Sequence, residues 1–401
     1  MLPLEGIKVI DFTTWVFAPA GAAMLGDWGA DVIKIEDPAT GDPQRNILSV
    51  AGLEVPEVNF PWELDNRNKR SMAIDLRTEK GKEILYKLIE GADVFISNIQ
   101  SAALTKLRVD YETLSGINPK LIYAHGTGYG KKGPEATRAG YDYAAFWARG
   151  GIMAKIGEPD SPPPMCLPGY GDSTGAIALA AGIVLALFAR EKTGIGQEVN
   201  VALLGTALWC NGLTIAGAGV SEEALPKRSR KDMPNPIYNS YECRGGKWIM
   251  LVCLQSDRYW PNFCKVMGLA DLEKDPKFEN LIKRSENCKE LIAILDEIFI
   301  TKDREALGKV FDENGILWTP VQTPTEAVND PQALANEFIV EVEHPTHGSF
   351  KNIASPVQLS KTPPSIRTVA PELGQHTEEI LLEIGYTWDE ITAFKEAKAI
   401  L

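Results

Sequence analysis

The chain has 401 residues, 44% of them hydrophobic and 24% charged, which is the composition of a globular protein too long for one ordinary domain. Its 41 basic and 54 acidic side chains give a formal net charge of −13, which argues against nucleic acid or an anionic membrane as partner but leaves room for a local basic pocket holding a small anion. No apolar run is long and unbroken enough to read as a membrane span, and MLPLEGIKVIDF has no charged-then-apolar leader, so a cytoplasmic location is expected.

In chain order, IKVIDF (7–12) reads as a strand, PAGAAMLGDWGA (19–30) as a helix opened by Pro19, and DVIKIE (31–36) as a second strand. This βαβ unit calls for a parallel sheet. TEKGKEILYKLIEGA (78–92) is an amphipathic helix with Ile84, Leu85, Leu88 and Ile89 on one stripe. DVFISN (93–98), a helix near 110–117 and the strand KLIYAHG (120–126) continue the alternation. A mostly apolar helix runs from Asp172 to about Lys192, with Gly194 as its C-cap. Residues 219–247 are charged, proline-containing and aperiodic, and read as a linker. Beyond them come the strand KWIMLVCL, helices near 256–267, 285–299 and 302–313, and a last helix in ELGQHTEEILLEIG (372–385).

The six cysteines (Cys166, Cys210, Cys243, Cys253, Cys264, Cys288) form no C-x-x-C pair, which suits reduced thiols. With only four histidines and no H-x-x-x-H, no metal site is expected. The first strand–helix turn, DFTTWVFAPAG, lacks the first two glycines of a dinucleotide fingerprint, and neither a P-loop nor a G-x-S-x-G elbow occurs.

PGYGDSTGAIALAAGIVLAL (168–187) sets one Asp between glycines and an apolar run. Asp172 there reads as a helix N-cap, supported by Ser173 and Thr174 in the first turn. It also reads as a nucleophile. Gly169 and Gly171 would clear the approach for a bulky ligand, and the helix N-terminus would hold the carboxylate ionised. A carboxylate nucleophile needs no histidine partner, and attack on a thioester would give an acyl–aspartyl anhydride with a good leaving group. The two readings are compatible.

LEGIKVIDFT, LGDWGADVIKIE, GDPQR, NRNKRSMAIDLRTEKGKEIL, ADVFISN, GDSTGAIALAAGIVLAL, KTGIGQEVNVAL and LGQHTEEIL follow one another in an order that resembles the class III CoA-transferases nearly end to end. That family includes formyl-CoA and carnitine CoA-transferases and the α-methylacyl-CoA racemases. GTGYGKKGP, GYDYAAFWARGG, LPGYGD and MPNPIYNSY look closest to transferases for (R)-2-hydroxyacids such as 2-hydroxyisocaproate and phenyllactate. The resemblance implies an open, Rossmann-like parallel-sheet large α/β domain built from both chain ends, a small α/β domain, and an interlocked homodimer. The boundaries would be 1–218 for the N-terminal part of the large domain, 219–247 for a linker, 248–325 for the small domain, and 326–401 for the return linker and C-terminal part.

By the same resemblance Asp172 is the nucleophile that takes an acyl group from a CoA thioester and then carries CoA itself. Coenzyme A is substrate, and no tightly bound cofactor or metal is implied. Val16, Ile74, Arg77, Asn98, Lys106 and Tyr141 fall at positions the family uses around CoA. Val16 replaces a Gln and Asp37 a basic residue of the formyl-specific enzymes, and Lys106 replaces an Arg. Tyr141 stands where the racemases carry a proton-shuttling His, which weakens a racemase or isomerase reading; a carnitine-type transferase stays open. His125 reads as structural, and His376 falls in the family's GxHT stretch. Delivery of a 2-hydroxyacyl-CoA to a dehydratase in amino-acid fermentation is also implied.

Overall fold

Six strands form one parallel sheet in the order β3-β2-β1-β4-β5-β6: β1 (Lys8–Phe12), β2 (Asp31–Glu36), β3 (Lys69–Ala73), β4 (Val94–Ser97), β5 (Ile122–Thr127) and β6 (Glu198–Ala202). These features come from a computed structural model, which describes residues 1–50, 52, 56–221 and 226–401. Both faces of the sheet are covered, so the central strands are continuous apolar runs rather than alternating ones. Ile10, Ile33, Phe95 and Tyr123 pack on one face against Ile84, Leu85, Leu381 and Phe394. Val9, Val32, Val94 and Ile122 pack on the other against Ala22, Leu25, Leu179 and Ile183. The first face therefore joins the Glu79–Glu90 helix to the last two helices, Thr377–Glu383 and Trp388–Glu396. The Asp75 N–H donates to the Ala399 carbonyl at 2.8 Å, and Ile74 bridges to Ile400. Both chain ends thus build one α/β core.

β3 and β6 are strands that periodicity does not announce. KRSMA reads as polar, yet Lys69 and Ser71 are buried because their polar atoms find partners inside. A β10–β11 hairpin (Ile339–His344, Gly348–Ile353) is likewise unannounced. The Tyr170–Thr193 helix is long and apolar enough to cross a membrane by length and composition, which the run-by-run reading of the sequence does not anticipate. One face, with Gly175, Ala176, Leu179 and Ile183, is buried, and the helix packs on the Phe17–Asp27 helix; Ile177, Leu185 and Phe188 on another face are exposed.

The chain divides into two compact units: Met1–Ala154 with Met165–Ala224 and Leu334–Leu401, and Lys155–Pro164 with Leu225–Ala333. The second unit has its own antiparallel sheet, β7-β8-β9 (Ser240–Cys243, Lys247–Leu251, Trp318–Val321), and a core that includes Tyr241, Phe263, Leu295 and Phe311. β7 lies inside the stretch read as a linker, where Tyr241 and Cys243 are buried on alternate positions; residues 222–225 of that stretch lie outside the described residues. Residues 155–164, within the span expected for the large domain, group instead with the second unit, where Lys227 Nζ donates to Ser161 Oγ at 3.2 Å.

Candidate active site

In a parallel sheet of this order the sense in which successive strands are added reverses between β1 and β4, and the crevice outside the carboxyl ends of those strands is where ligands bind in such folds. Thr14 and Trp15 follow β1, Asn98 follows β4, and all three line a cavity of about 530 Å³. Asn98 ties the strand ends together: its Oδ1 accepts from Thr14 N–H at 2.9 Å and its Nδ2 donates to Thr14 O at 2.7 Å. Asp172, Val16 and Tyr141 line the same cavity.

Asp172 is not the cap of its helix. The helix runs from Tyr170 to Thr193, its N-cap is Gly169 at φ 74°, and Asp172 occupies the third helical position. The cap comes from outside. Asp142 Oδ2 accepts from Gly169 N–H at 2.8 Å and its Oδ1 from Gly171 N–H at 2.9 Å, satisfying donors that a helix start leaves unpaired. A Cβ on Gly171 would stand 2.3 Å from Asp142 Oδ1 and from Phe146 Cγ. Gly169 therefore permits a left-handed turn, and Gly171 permits a close backbone approach to Asp142 rather than clearing room for ligand. Asp142 opens a π-helix, Asp142–Ala148, that grips the same loop twice more: Trp147 Nε1 donates to Leu167 O at 3.2 Å, and Tyr143 OH donates to Cys166 O. One-turn π segments of this kind recur at functional sites.

The electrostatics also differ from expectation. Burial, with the negative charges of Asp142 and Asp65 nearby, pushes the Asp172 carboxyl up to about 7, overriding the favourable helix terminus. Among the described residues no group donates a hydrogen bond to its side chain. The result is a carboxylate more basic than usual, poised at neutral pH and open to the cavity. Burial raises the Asp142 carboxyl too, against the pull of its backbone donors.

At the same cavity, the loop after β1 rests on buried charges. Lys34 Nζ donates to Thr13 O at 3.1 Å and pairs with Asp42 at 2.8 Å, and Asp42 Oδ1 accepts from Trp15 N–H at 3.0 Å. Lys69 Nζ, fully buried, bonds Asp11 Oδ2 at 2.8 Å, Pro19 O at 2.9 Å and Asn66 Oδ1 at 2.9 Å; burial lowers it to about 8 although Asp11 opposes the shift. Burial works against the Asp11 carboxylate, yet Lys69 and Lys34 hold it below the usual range.

The residues expected around the ligand thus divide. Val16, Asn98, Tyr141 and Asp172 meet at one cavity. Ile74, Arg77 and Lys106 are not among the residues lining it: Ile74 is in the core beside the chain end, Lys106 is exposed in the last turn of the Ser101–Leu107 helix, and Arg77 is engaged by Asp75 at 2.7 Å and Asp37 at 3.0 Å. His125, read from the sequence as structural, also lines this cavity, with its Nε2 2.9 Å from Ile99 O. His376 Nδ1 accepts from Ser71 N–H at 3.2 Å, pinning the last segment to β3. Asp142 escapes sequence reading because it is one acid in an aromatic run beside the more conspicuous Tyr141. Lys131 and Arg138 also line the cavity; Lys131 lies in GTGYGKKGP, a stretch that carries the resemblance without a role for the lysine, and Arg138 sits in the aperiodic loop that follows.

A model of CoA-transferase family III matches residues 4–377. The chain belongs to CoA-transferase family III. It is 33% identical over 398 residues to an (R)-2-hydroxy-4-methylpentanoate CoA-transferase of Clostridioides difficile, covering 99% of each chain. It is 34% identical over 402 residues to a cinnamoyl-CoA:phenyllactate CoA-transferase of Clostridium sporogenes, covering 99% of this chain and 97% of that one. The crystal structure of a CAIB/BAIF family protein from Brucella suis superposes with a TM-score of 0.86 at 30% identity, over 96% of this chain and 99% of that one. This transferase is therefore an enzyme whose substrates are CoA thioesters.

Proposed function

We propose that this transferase moves CoA from an acyl-CoA donor to an (R)-2-hydroxy carboxylate of the 2-hydroxyisocaproate or phenyllactate type, with Asp172 as nucleophile. The observation that carries the reading is the unusually basic Asp172 carboxylate, without a hydrogen-bond donor among the described residues, lining the cavity where the strand order reverses. The two transferases of 2-hydroxyacids at 33% and 34% identity support the acceptor class.

The chemistry balances without a redox partner. An Asp172 oxygen attacks the thioester carbonyl, the C–S bond breaks, and CoA leaves as thiolate with a mixed anhydride left on Asp172. The thiolate attacks Asp172 Cγ, and the donor acid leaves as carboxylate. The acceptor carboxylate then attacks the aspartyl thioester, freeing thiolate again, and the thiolate takes the acceptor's acyl carbon and restores the Asp172 carboxylate. Each step exchanges one activated acyl bond for another. A nucleophile with a pKa near 7 is a stronger base than an ordinary carboxylate and is still half ionised at neutral pH. Asp142 holds the backbone of the Gly169–Gly171 turn still while the side chain is acylated and released.

Around CoA we assign Val16, Asn98 and Tyr141 to the cavity, and no CoA contact to Ile74, Arg77 and Lys106, which lie outside its lining. A homodimer is supported by the exposed apolar side chains Leu185, Phe188, Trp209, Leu213 and Val220 on consecutive helices. A cytoplasmic enzyme feeding a 2-hydroxyacyl-CoA dehydratase in amino-acid fermentation completes the reading. The test is mass spectrometry of enzyme quenched in turnover: a CoA thioester or hydroxylamine-sensitive adduct is expected on the peptide carrying Asp172. Turnover with that peptide unmodified overturns the mechanism, and absence of transfer to any 2-hydroxyacid overturns the substrate class.

A further inference from the structure

Trp15 adopts φ 67°, a left-handed conformation that bulky residues avoid and that costs nothing to glycine. The chain nevertheless invests several buried polar groups in keeping it there. Both backbone groups of Thr14 are taken by the Asn98 amide, and the Thr13 carbonyl by Lys34. The Trp15 N–H is taken by Asp42, which is itself fixed by the Lys34 ion pair and by its own N–H donating to Glu36 Oε1 at 3.0 Å. Three consecutive peptide units are thus set by side chains from three other parts of the sheet edge. A loop so over-determined holds a strained residue because its side chain is needed at that spot.

That spot is the cavity of Asp172. The Trp15 indole meets the Tyr141 ring edge-on, with centroids 6.3 Å apart and planes at 85°, and both rings line the cavity. Val16, next in the chain, would lie 4.0 Å from a Cβ on Gly169, the cap of the helix that carries Asp172. A carboxylate joined to Asp172 would share its cavity with this aromatic and aliphatic surface. Lys131 and Arg138, cations of the same cavity, are already engaged by Glu198 and Glu135.

We infer that Trp15, held in its strained conformation by Asp42 and Asn98 and braced by Tyr141, is the specificity wall for the acceptor side chain, selecting monocarboxylic acids with a branched or aromatic group over small ones. An indole face rewards apolar area and offers nothing to a second carboxylate. The inference rests on the transferase reading above.

The measurement is kcat/KM for (R)-phenyllactate and (R)-2-hydroxyisocaproate relative to lactate, in wild type and in Trp15→Gly. Glycine accepts φ 67°, so the loop keeps its path while the wall is removed. The bulky-to-small ratio is expected to fall at least tenfold. Tyr141→Ala, at a position 63% exposed, removes the brace and is expected to lower the ratio about threefold, and it decides the matter if Trp15→Gly does not fold. Ratios equal to wild type in whichever variants fold overturn the wall. A wild type that charges carboxylates but no 2-hydroxyacid overturns the substrate class instead, and the same ratio is then read across bulky and small members of the acids it does charge.

Discussion

The two sides of the cavity solve opposite problems. After β1, the chain keeps a large side chain in a backbone conformation that disfavours it, and polar groups from half-buried Asn98 and from buried Asp42 and Lys34 offset a strain of about 1–3 kcal/mol. Before the Tyr170–Thr193 helix, the chain gives up side chains at Gly169 and Gly171 so that bare backbone can reach Asp142. The first side spends stability to place a ring. The second spends side chains to place a carboxylate. Together they teach that a cavity needs a different anchor for each kind of group: polar clamps for a bulky ring in a strained conformation, and a short backbone cradle for the helix start that carries a carboxylate.

The sharpest break of this comparison is at Asp172. Asp172→Asn is expected to reduce CoA transfer by about four orders of magnitude or more, read by thioester exchange. It also carries a stability signature. Because the folded carboxyl titrates near 7 and the unfolded one near 3.8, unfolding is favoured progressively as pH rises between those values, and the penalty is complete above 7. The Asn variant should therefore melt higher than wild type at pH 8 and equally at pH 4; equal melting at both pH values would deny the raised carboxyl.

Next comes Asp142→Asn, which keeps the shape but halves the acceptor capacity. It is expected to lower kcat about tenfold, and to destabilise by about 1–3 kcal/mol through buried N–H groups left short of a partner. Loss of the negative neighbour should also move the acid limb of the kcat–pH profile to lower pH. A drop in stability with an unmoved limb would make Asp142 merely structural. Gly171→Ala should cost about 1–3 kcal/mol in denaturant unfolding, because its Cβ meets Asp142 and Phe146 at 2.3 Å. The smallest effect is expected from Arg77→Ala, with KM for acyl-CoA changed less than twofold, since Asp75 and Asp37 already engage the guanidinium. A several-fold rise would mean that Arg77 leaves its carboxylates for a phosphate when substrate binds.

Much of the fold is legible because apolar runs and helical stripes are local. IKVIDF, DVIKIE and the 78–92 stripe appear as β1, β2 and the Glu79–Glu90 helix, and Gly194 ends its helix at φ 72° as a left-handed C-cap should. β3 is not legible, since KRSMA is buried only because Lys69 finds Asp11, a partner 58 residues away.

The same division runs through the site. The sequence alone determined an alternating α/β chain and a family resemblance centred on the aspartate of GYGDSTG, because chemical type and spacing are written along the chain. Only the tertiary structure decided that Gly169 and not Asp172 caps that helix, that Asp142 supplies the cap, and that the carboxyl titrates near 7. It also decided that Trp15 and Asp172 line one cavity. Hydrogen-bond partners, burial and like-charge proximity depend on distances between residues remote in sequence, and those exist only once the sheet has brought its strand ends together.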